Sequence, residues 1–317
     1  MKRLAVIGAG SFGKNHVRVV RESARAELRF VVDADLGRAR EQAGEHVRAT
    51  ADYRDVLGEV DAAVLAVPTV RHAEIGCALL EAGIDVLVEK PVASTLEEAD
   101  RLVDAAERGG RILQVGHLER FNPAVIALER AATLPLFFEI HRMSMFTLRS
   151  LDVDVVLDLM IHDLDIVLAL ARAELRDIRA AGISILSPKV DIANVRLEFA
   201  DGCIANLTAS RVSTEKVRKL RLFQPRQYIS LDYAKQSAAV CTVGGPEGIE
   251  FEQLPIAPSE PLKLQFDAFL DAVESRKTLK LDGRAARRTL KVALDILDKI
   301  EEHARVVGKT LASGWKP

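Results

Sequence analysis

Long apolar runs are missing: nothing in the 317 residues approaches the ~20 that a bilayer-spanning helix needs. No signal-type apolar stretch stands at the start either, where MKRLAVIGAG leads straight into a folded element. Cysteine is scarce. Cys77, Cys203 and Cys241 lie far apart, without metal-ligand spacing and each in an apolar or strand-like context, so they read as buried structural thiols. The expected compartment is therefore reducing, the cytoplasm. A net charge of −2 gives no reason to expect nucleic acid or a membrane as partner. Internal repeats and low-complexity segments are missing too.

What is present begins with alternation of strand and helix. Residues 4–7 form a short apolar run ending in Gly8, as a strand buried on both faces reads. Residues 30–32, 62–67, 85–88 and 112–115 repeat that pattern, and helices are predicted from 15–20 onward and over 74–82, stopped by Gly83. Another helix follows Ser94 and Thr95, which stand three residues before Glu97 and Glu98, the capping-box spacing. Its Ala99, Leu102, Val103 and Ala106 share one face, and Gly109-Gly110 ends it. Single helices between strands require parallel pairing, hence an α/β, doubly wound Rossmann-type sheet over residues 1–117.

Past about residue 118 the pattern changes. Residues 154–171 read as one long, mostly apolar helix, followed by strand-like runs at 192–199, 203–211, 219–223 and 228–233. Val195, Leu197 and Phe199 alternate with polar neighbours, and Asp201-Gly202 is a hairpin signal. Helices near 262–275 and 283–307 follow. Residues 118–317 are therefore expected to form an α+β domain on a mainly antiparallel open sheet.

The cofactor signal is Gly8-Ala9-Gly10-Ser11-Phe12-Gly13, a GxGxxG that follows a strand, opens a helix and precedes Asp33 by 20 residues. Gly8 permits the turn, Gly10 admits the pyrophosphate, and Gly13 lets helix pack on strand. The helix N-terminus offers unpaired N–H groups to phosphate. Asp33 suits both ribose hydroxyls and would repel a 2′-phosphate, so NAD is expected rather than NADP.

Three further segments make the chain resemble the Gfo/Idh/MocA family of sugar and cyclitol dehydrogenases. They are Val67-Pro68-Thr69 with His72, Glu89-Lys90-Pro91, and Asp158-xxx-His162. The resemblance implies that Lys90, Asp158 and His162 are catalytic and touch substrate. It also implies that Arg38, Pro68, Thr69, His72, Glu89, Lys90 and His117 join Gly8, Gly10, Ser11, Phe12, Gly13 and Asp33 around NAD. The residues themselves agree: a histidine suits proton removal near neutral pH, and Asp158 four residues away falls on its helical face. Lys90, at the carboxyl end of a parallel strand, could stabilise a developing alkoxide. Asp163 and Asp165 read as solvated or helix-pairing acids; His16, His46, His141 and His303 read as structural or surface groups. No metal is expected.

One departure stands out. Many family members carry Gly-Gly before the Asp-xxx-His segment, where this chain has Asp152-Val153-Asp154-Val155-Val156. The run from Val115 to Pro123 resembles a subgroup acting on nucleotide-linked amino sugars, the UDP-N-acetylglucosamine 3-dehydrogenases. That implies a nucleotide-sugar substrate, with Arg120 and Asn122 on the substrate side and Arg211 and Arg218 as further phosphate partners. Oxidation of a free sugar or inositol-like cyclitol, carbonyl reduction as in biliverdin reductase-like relatives, and a non-catalytic NAD-binding regulator are the alternatives. A homodimer or homotetramer is expected from the family.

Overall fold

The computed structural model describes the chain apart from residues 148–150, 152, 245–247, 278–280 and 313–317, so Asp152 lies outside the described residues. Two compact units emerge: Met1–Leu118 with Glu260–Leu290, and Glu119–Ser259 with Lys291–Pro317. A single boundary after residue 117 is thus corrected, because residues 260–290 return to the first unit. The cause is an apolar stripe. Leu262, Phe266, Phe269, Leu270 and Val273, at helical spacing, join the same core as Leu4, Val6, Val17 and Val20.

The first unit runs β1 (Lys2–Ile7), α1 (Gly13–Glu22), β2 (Ala26–Val32), α2 (Leu36–Ala43), β3 (Arg48–Thr50), β4 (Ala62–Leu65), α3 (His72–Glu81), β5 (Asp85–Glu89), α4 (Leu96–Gly109) and β6 (Leu113–Gly116). The sheet order is β3-β2-β1-β4-β5-β6, and the pairs are parallel. The sequence pattern misses β3 because it has three residues and buries only Thr50. The α4 caps are as expected: Thr95 accepts from Glu98 N, Glu98 reaches back to Ser94 N, and Gly110 closes the helix in the left-handed region. The order reverses between β1 and β4, and ligands of such sheets bind at that carboxyl-end crevice.

The second unit holds α5 (Pro123–Ala131), β7 (Phe137–Met145), α6 (Ile161–Leu170), β8 (Leu175–Ile183), β9 (Ile192–Phe199), β10 (Ile204–Ser213), β11 (Val217–Gln224), β12 (Gln227–Asp232), β13 (Ser237–Val243) and β14 (Ile249–Gln253). Their order is β14-β13-β12-β11-β7-β10-β9-β8; β7 and β10 pair parallel and the others antiparallel. Asp201-Gly202 does turn β9 into β10, with Gly202 at φ +87°. One sheet face packs on α5 and α6 through Phe138, Val195, Leu197, Leu128 and Leu164. Then come α7 (Pro261–Ser275) and α8 (Gly283–Ala312). No helix among the described residues is long and apolar enough to cross a membrane.

The long helix expected over 154–171 is interrupted. Val156–Met160 is a π-helical turn, and regular α-helix begins only at Ile161. Asp158 and His162 are therefore four residues apart across a change of helix type, which the regular one-face argument does not cover. Such wide turns recur at functional sites because they re-aim side chains.

Candidate active site

The glycine-rich turn of the first unit is built to admit a dinucleotide. Gly8 sits at φ +93°, and a Cβ there would stand 2.4 Å from the carbonyl oxygen of Ala66. A Cβ on Gly13 would stand 1.8 Å from the Gly8 oxygen, so only glycine lets α1 close on the turn. A Cβ on Gly10 would meet nothing within 4 Å among the described residues, which leaves the approach open to a pyrophosphate. Helix α1 has Phe12 as its N-cap, with no side-chain cap and no acid in its first turn, so its positive end is open to an anion without competition. Gly8, Gly10, Ser11, Phe12, Asp33, Arg38 and Pro68 line a cleft of about 550 Å³ there, together with Tyr53, Arg71 and Ile75.

Asp33, 9% exposed, immediately follows β2. Its oxygens accept from Ala9 N and Asp35 N at 2.8 and 2.9 Å, and Arg38 Nη1 lies 3.3 and 3.5 Å away. Two backbone donors fix the carboxylate yet leave lone pairs for ribose hydroxyls. These features fit NAD.

His72 has a different setting. Buried, it sets Nε2 2.9 Å from the Val67 carbonyl and Nδ1 3.0 Å from the Pro91 carbonyl, and the neutral ring donates its one N–H to one of the two. Burial lowers its pKa from 6.5, against the pull of those carbonyls. It ties two loops together rather than meeting the cofactor directly. Thr69 opens the short 3₁₀ turn beside Pro68, and His117 lies buried just past β6. Glu89 is buried at the end of β5, bonded to His16 at 2.7 Å, and Lys90 after it is half-buried.

In the second unit, Asp158 and His162 are half-buried on the π turn and the start of α6. The acids that follow are anchors. Asp163 takes Arg142 through both oxygens at 2.7 and 2.8 Å and the Tyr233 hydroxyl at 3.1 Å. Arg142 also donates to Glu119 at 2.9 Å and lies over the Tyr233 ring. Burial works against the Arg142 charge, but Asp163 and Glu119 outweigh it and raise its pKa; burial and Asp163 push the Tyr233 phenol up. The expectation of solvated acids at 163 and 165 fails, because arginines from other elements reach them.

Two substrate-side expectations are corrected likewise. The Arg120 guanidinium is engaged by Glu129 (2.8 Å) and Asp165 (3.3 Å). Asn122 caps α5 by accepting from Ala124 N and donates to Glu119 and the Tyr233 carbonyl. Arg211 is bound to the Val153 carbonyl and beside Asp191. Arg218 pairs across the ladder with Arg142 and stands 3.8 Å from Glu119. Its side chain is 34% exposed, against 10% for Arg120 and 7% for Arg211.

Comparison with known proteins gives the arrangement a family. Residues 2–117 match the model of an oxidoreductase family with an NAD-binding Rossmann fold, and residues 132–228 match the GFO/IDH/MocA C-terminal domain. A UDP-N-acetylglucosamine 3-dehydrogenase of Acidithiobacillus ferrooxidans is 36% identical over 306 residues, which cover 94% of this chain and 97% of that protein. The chain belongs to the Gfo/Idh/MocA oxidoreductase family. A solved structure of that 3-dehydrogenase superposes with a TM-score of 0.90 at 34% identity, covering 95% of this chain and 98% of the other. An inositol 2-dehydrogenase of Saccharopolyspora erythraea is 39% identical, but over 41% of this chain and 40% of its own. Levoglucosan dehydrogenase, solved with NADH and levoglucosan, shares the fold at TM-score 0.83 and 18% identity, covering 95% of this chain and 98% of that one.

As a Gfo/Idh/MocA member the protein is an NAD-dependent dehydrogenase acting on a CH–OH group. Sequence reasoning missed Tyr53, Arg71 and Ile75 in its cleft, and His16 against Glu89. Tyr53 and Arg71 sit on short 3₁₀ turns that carry no periodic signal. The one available pointer to His16 was its place three residues after Gly13, in the first turn of the phosphate-facing helix.

Proposed function

We propose that this oxidoreductase acts on a nucleotide sugar, oxidising C3 of a UDP-linked N-acetylhexosamine. The observation that carries the reading is coverage. Similarity to the 3-dehydrogenase extends over 94% of the chain, whereas similarity to the inositol dehydrogenase extends over 41%. NAD⁺, when bound, supplies the hydride acceptor. The Gly8–Gly13 turn and the α1 N-terminus would hold its diphosphate and Asp33 its ribose. In this reading His162 removes the hydroxyl proton and Asp158 stabilises the resulting imidazolium. The Lys90 ammonium stabilises the developing alkoxide.

Arg218 takes the place first given to Arg120 as the arginine for the substrate diphosphate, since it is the more open of the two and a guanidinium suits phosphate oxygens. Three buried thiols support a reducing, cytoplasmic setting, and the reading includes a homodimer or homotetramer, testable by light scattering.

The deciding experiment is NADH formation across a panel of UDP-sugars, free sugars and inositol, with UDP as competitor. UDP-N-acetylglucosamine should be turned over and UDP should inhibit. Arg218→Ala should weaken UDP inhibition about tenfold or more while leaving the KM for NAD⁺ unchanged. Turnover of a free polyol with indifference to UDP would defeat the nucleotide-sugar reading and leave the dehydrogenase standing.

A further inference from the structure

Glu89 immediately precedes Lys90, and its carboxylate is held from three elements. A buried carboxylate is costly unless its oxygens are matched. One oxygen, Oε1, lies 2.7 Å from Nε2 of His16 on α1; the other accepts the backbone N–H of Lys90 itself at 3.3 Å. The third wall is β6. A Cβ on Gly116 would stand 2.7 Å from Oε1 and 2.8 Å from Oε2, so the carboxylate lies against bare backbone with no room for a methyl group. His16 is itself 1% exposed, with the Phe12 ring set edge-on at 5.4 Å.

His16 is an expensive choice for a merely space-filling core position. Its Nδ1 is buried without a hydrogen-bond partner among the described residues, a penalty that an apolar side chain would not carry. What the ring supplies is Nε2, and Nε2 meets Glu89. Lysine reaches its target through four flexible methylenes, so the place where its backbone is held sets the point from which the side chain reaches. That backbone is where the Glu89 carboxylate binds.

We propose that His16 is a positioning residue for Lys90, acting through Glu89, with Gly116 as the floor that keeps the carboxylate in place. His16 donates Nε2–H to Oε1, the carboxylate cannot rotate, and Oε2 holds the amide from which the lysine side chain departs. Small displacements of an electrostatic group cost rate far more than binding. The proposal rests on Lys90 acting in catalysis, as given under the proposed function.

The test compares wild type with His16→Ala, His16→Gln and Gly116→Ala. Gln keeps an N–H that can reach Glu89; Gly116→Ala drives the carboxylate off its floor. Four quantities are measured: melting temperature, NADH affinity by fluorescence titration, steady-state kinetics, and the rate at which an amine-reactive reagent labels Lys90, read by mass spectrometry. His16→Ala and Gly116→Ala should lower kcat about tenfold or more and change Lys90 labelling about threefold or more, with NADH affinity and substrate KM within about threefold. His16→Gln should restore both. Lys90→Ala is run alongside: full turnover there would remove Lys90 from catalysis, while labelling in the other variants still judges the positioning. Unchanged labelling and kcat in His16→Ala would overturn the proposal, as would a loss of NADH affinity that parallels the loss of kcat. If His16→Ala does not fold, Gly116→Ala decides by the same two readings.

Discussion

Asp33 illustrates how much a single carboxylate decides. Fixed by the amides of Ala9 and Asp35, it cannot withdraw from a ribose 2′-phosphate. NAD(H) should therefore bind about tenfold or more tightly than NADP(H). Arg38, half-exposed and only 3.3 Å from Asp33, is the cation that would receive that phosphate once the acid is gone. Asp33→Ser should accordingly narrow or reverse the preference in a calorimetric titration of both cofactors, and an unchanged ratio would remove Asp33 from the selection. The proposed catalytic residues make a second prediction. Lys90→Ala and His162→Ala should each lower kcat by about 10²-fold with NAD binding nearly normal. Wild-type turnover in His162→Ala would require another base.

At the scale of elements, the helix that carries His162 is held from below. Asp163 and Asp165 point into arginines from β7 and from the chain ahead of α5, so Arg142 and Arg120 fix the first turns of α6. Removing one partner of a buried pair leaves the other charge uncompensated, at a cost of about 3–5 kcal/mol. Asp163→Ala should lose stability on that scale in urea titration, because Arg142 is 2% exposed and has only Glu119 as its other ion-pair partner among the described residues. A loss near zero would mean that water reaches the guanidinium. The sequence shows the acids but not this role: on a helix drawn from the chain alone, Asp163 and Asp165 have no lysine or arginine at three or four residues' spacing, so they read as solvated or helix-pairing acids. The π turn at Val156–Met160 is equally invisible, since its residues are ordinary helix formers.

For the whole molecule, pH acts through groups whose burial differs between folded and unfolded chains. His72 has its pKa lowered from 6.5 by burial, so its neutral form favours the fold. That contribution is complete above 6.5 and fades as pH falls below it. The Asp191 carboxyl behaves in the acid range. Burial opposes its charge, but the Ser187 hydroxyl and the amides of Ile185, Leu186 and Ser187 prevail and bring it from 3.8 to about 2. Stability from Asp191 is full above 3.8 and is lost as pH falls toward 2. Melting temperature should thus drop from about pH 7.5 to about pH 5.5, less so in His72→Asn, and drop again below about pH 4 unless Asp191 is replaced. The sequence by itself determined the parallel sheet of the first unit, the glycine turn with Asp33 beyond it, the α4 caps and the Asp201-Gly202 hairpin. Each of these is written in neighbouring residues, through periodicity, φ requirements or capping. Only the tertiary structure decided that α7 returns to the first unit, that Arg120 and Asn122 serve the scaffold, and that His16 grips Glu89. Those outcomes depend on partners far along the chain, 73 residues apart for His16 and Glu89, and local pattern carries no information about which distant charge or apolar stripe a residue will meet.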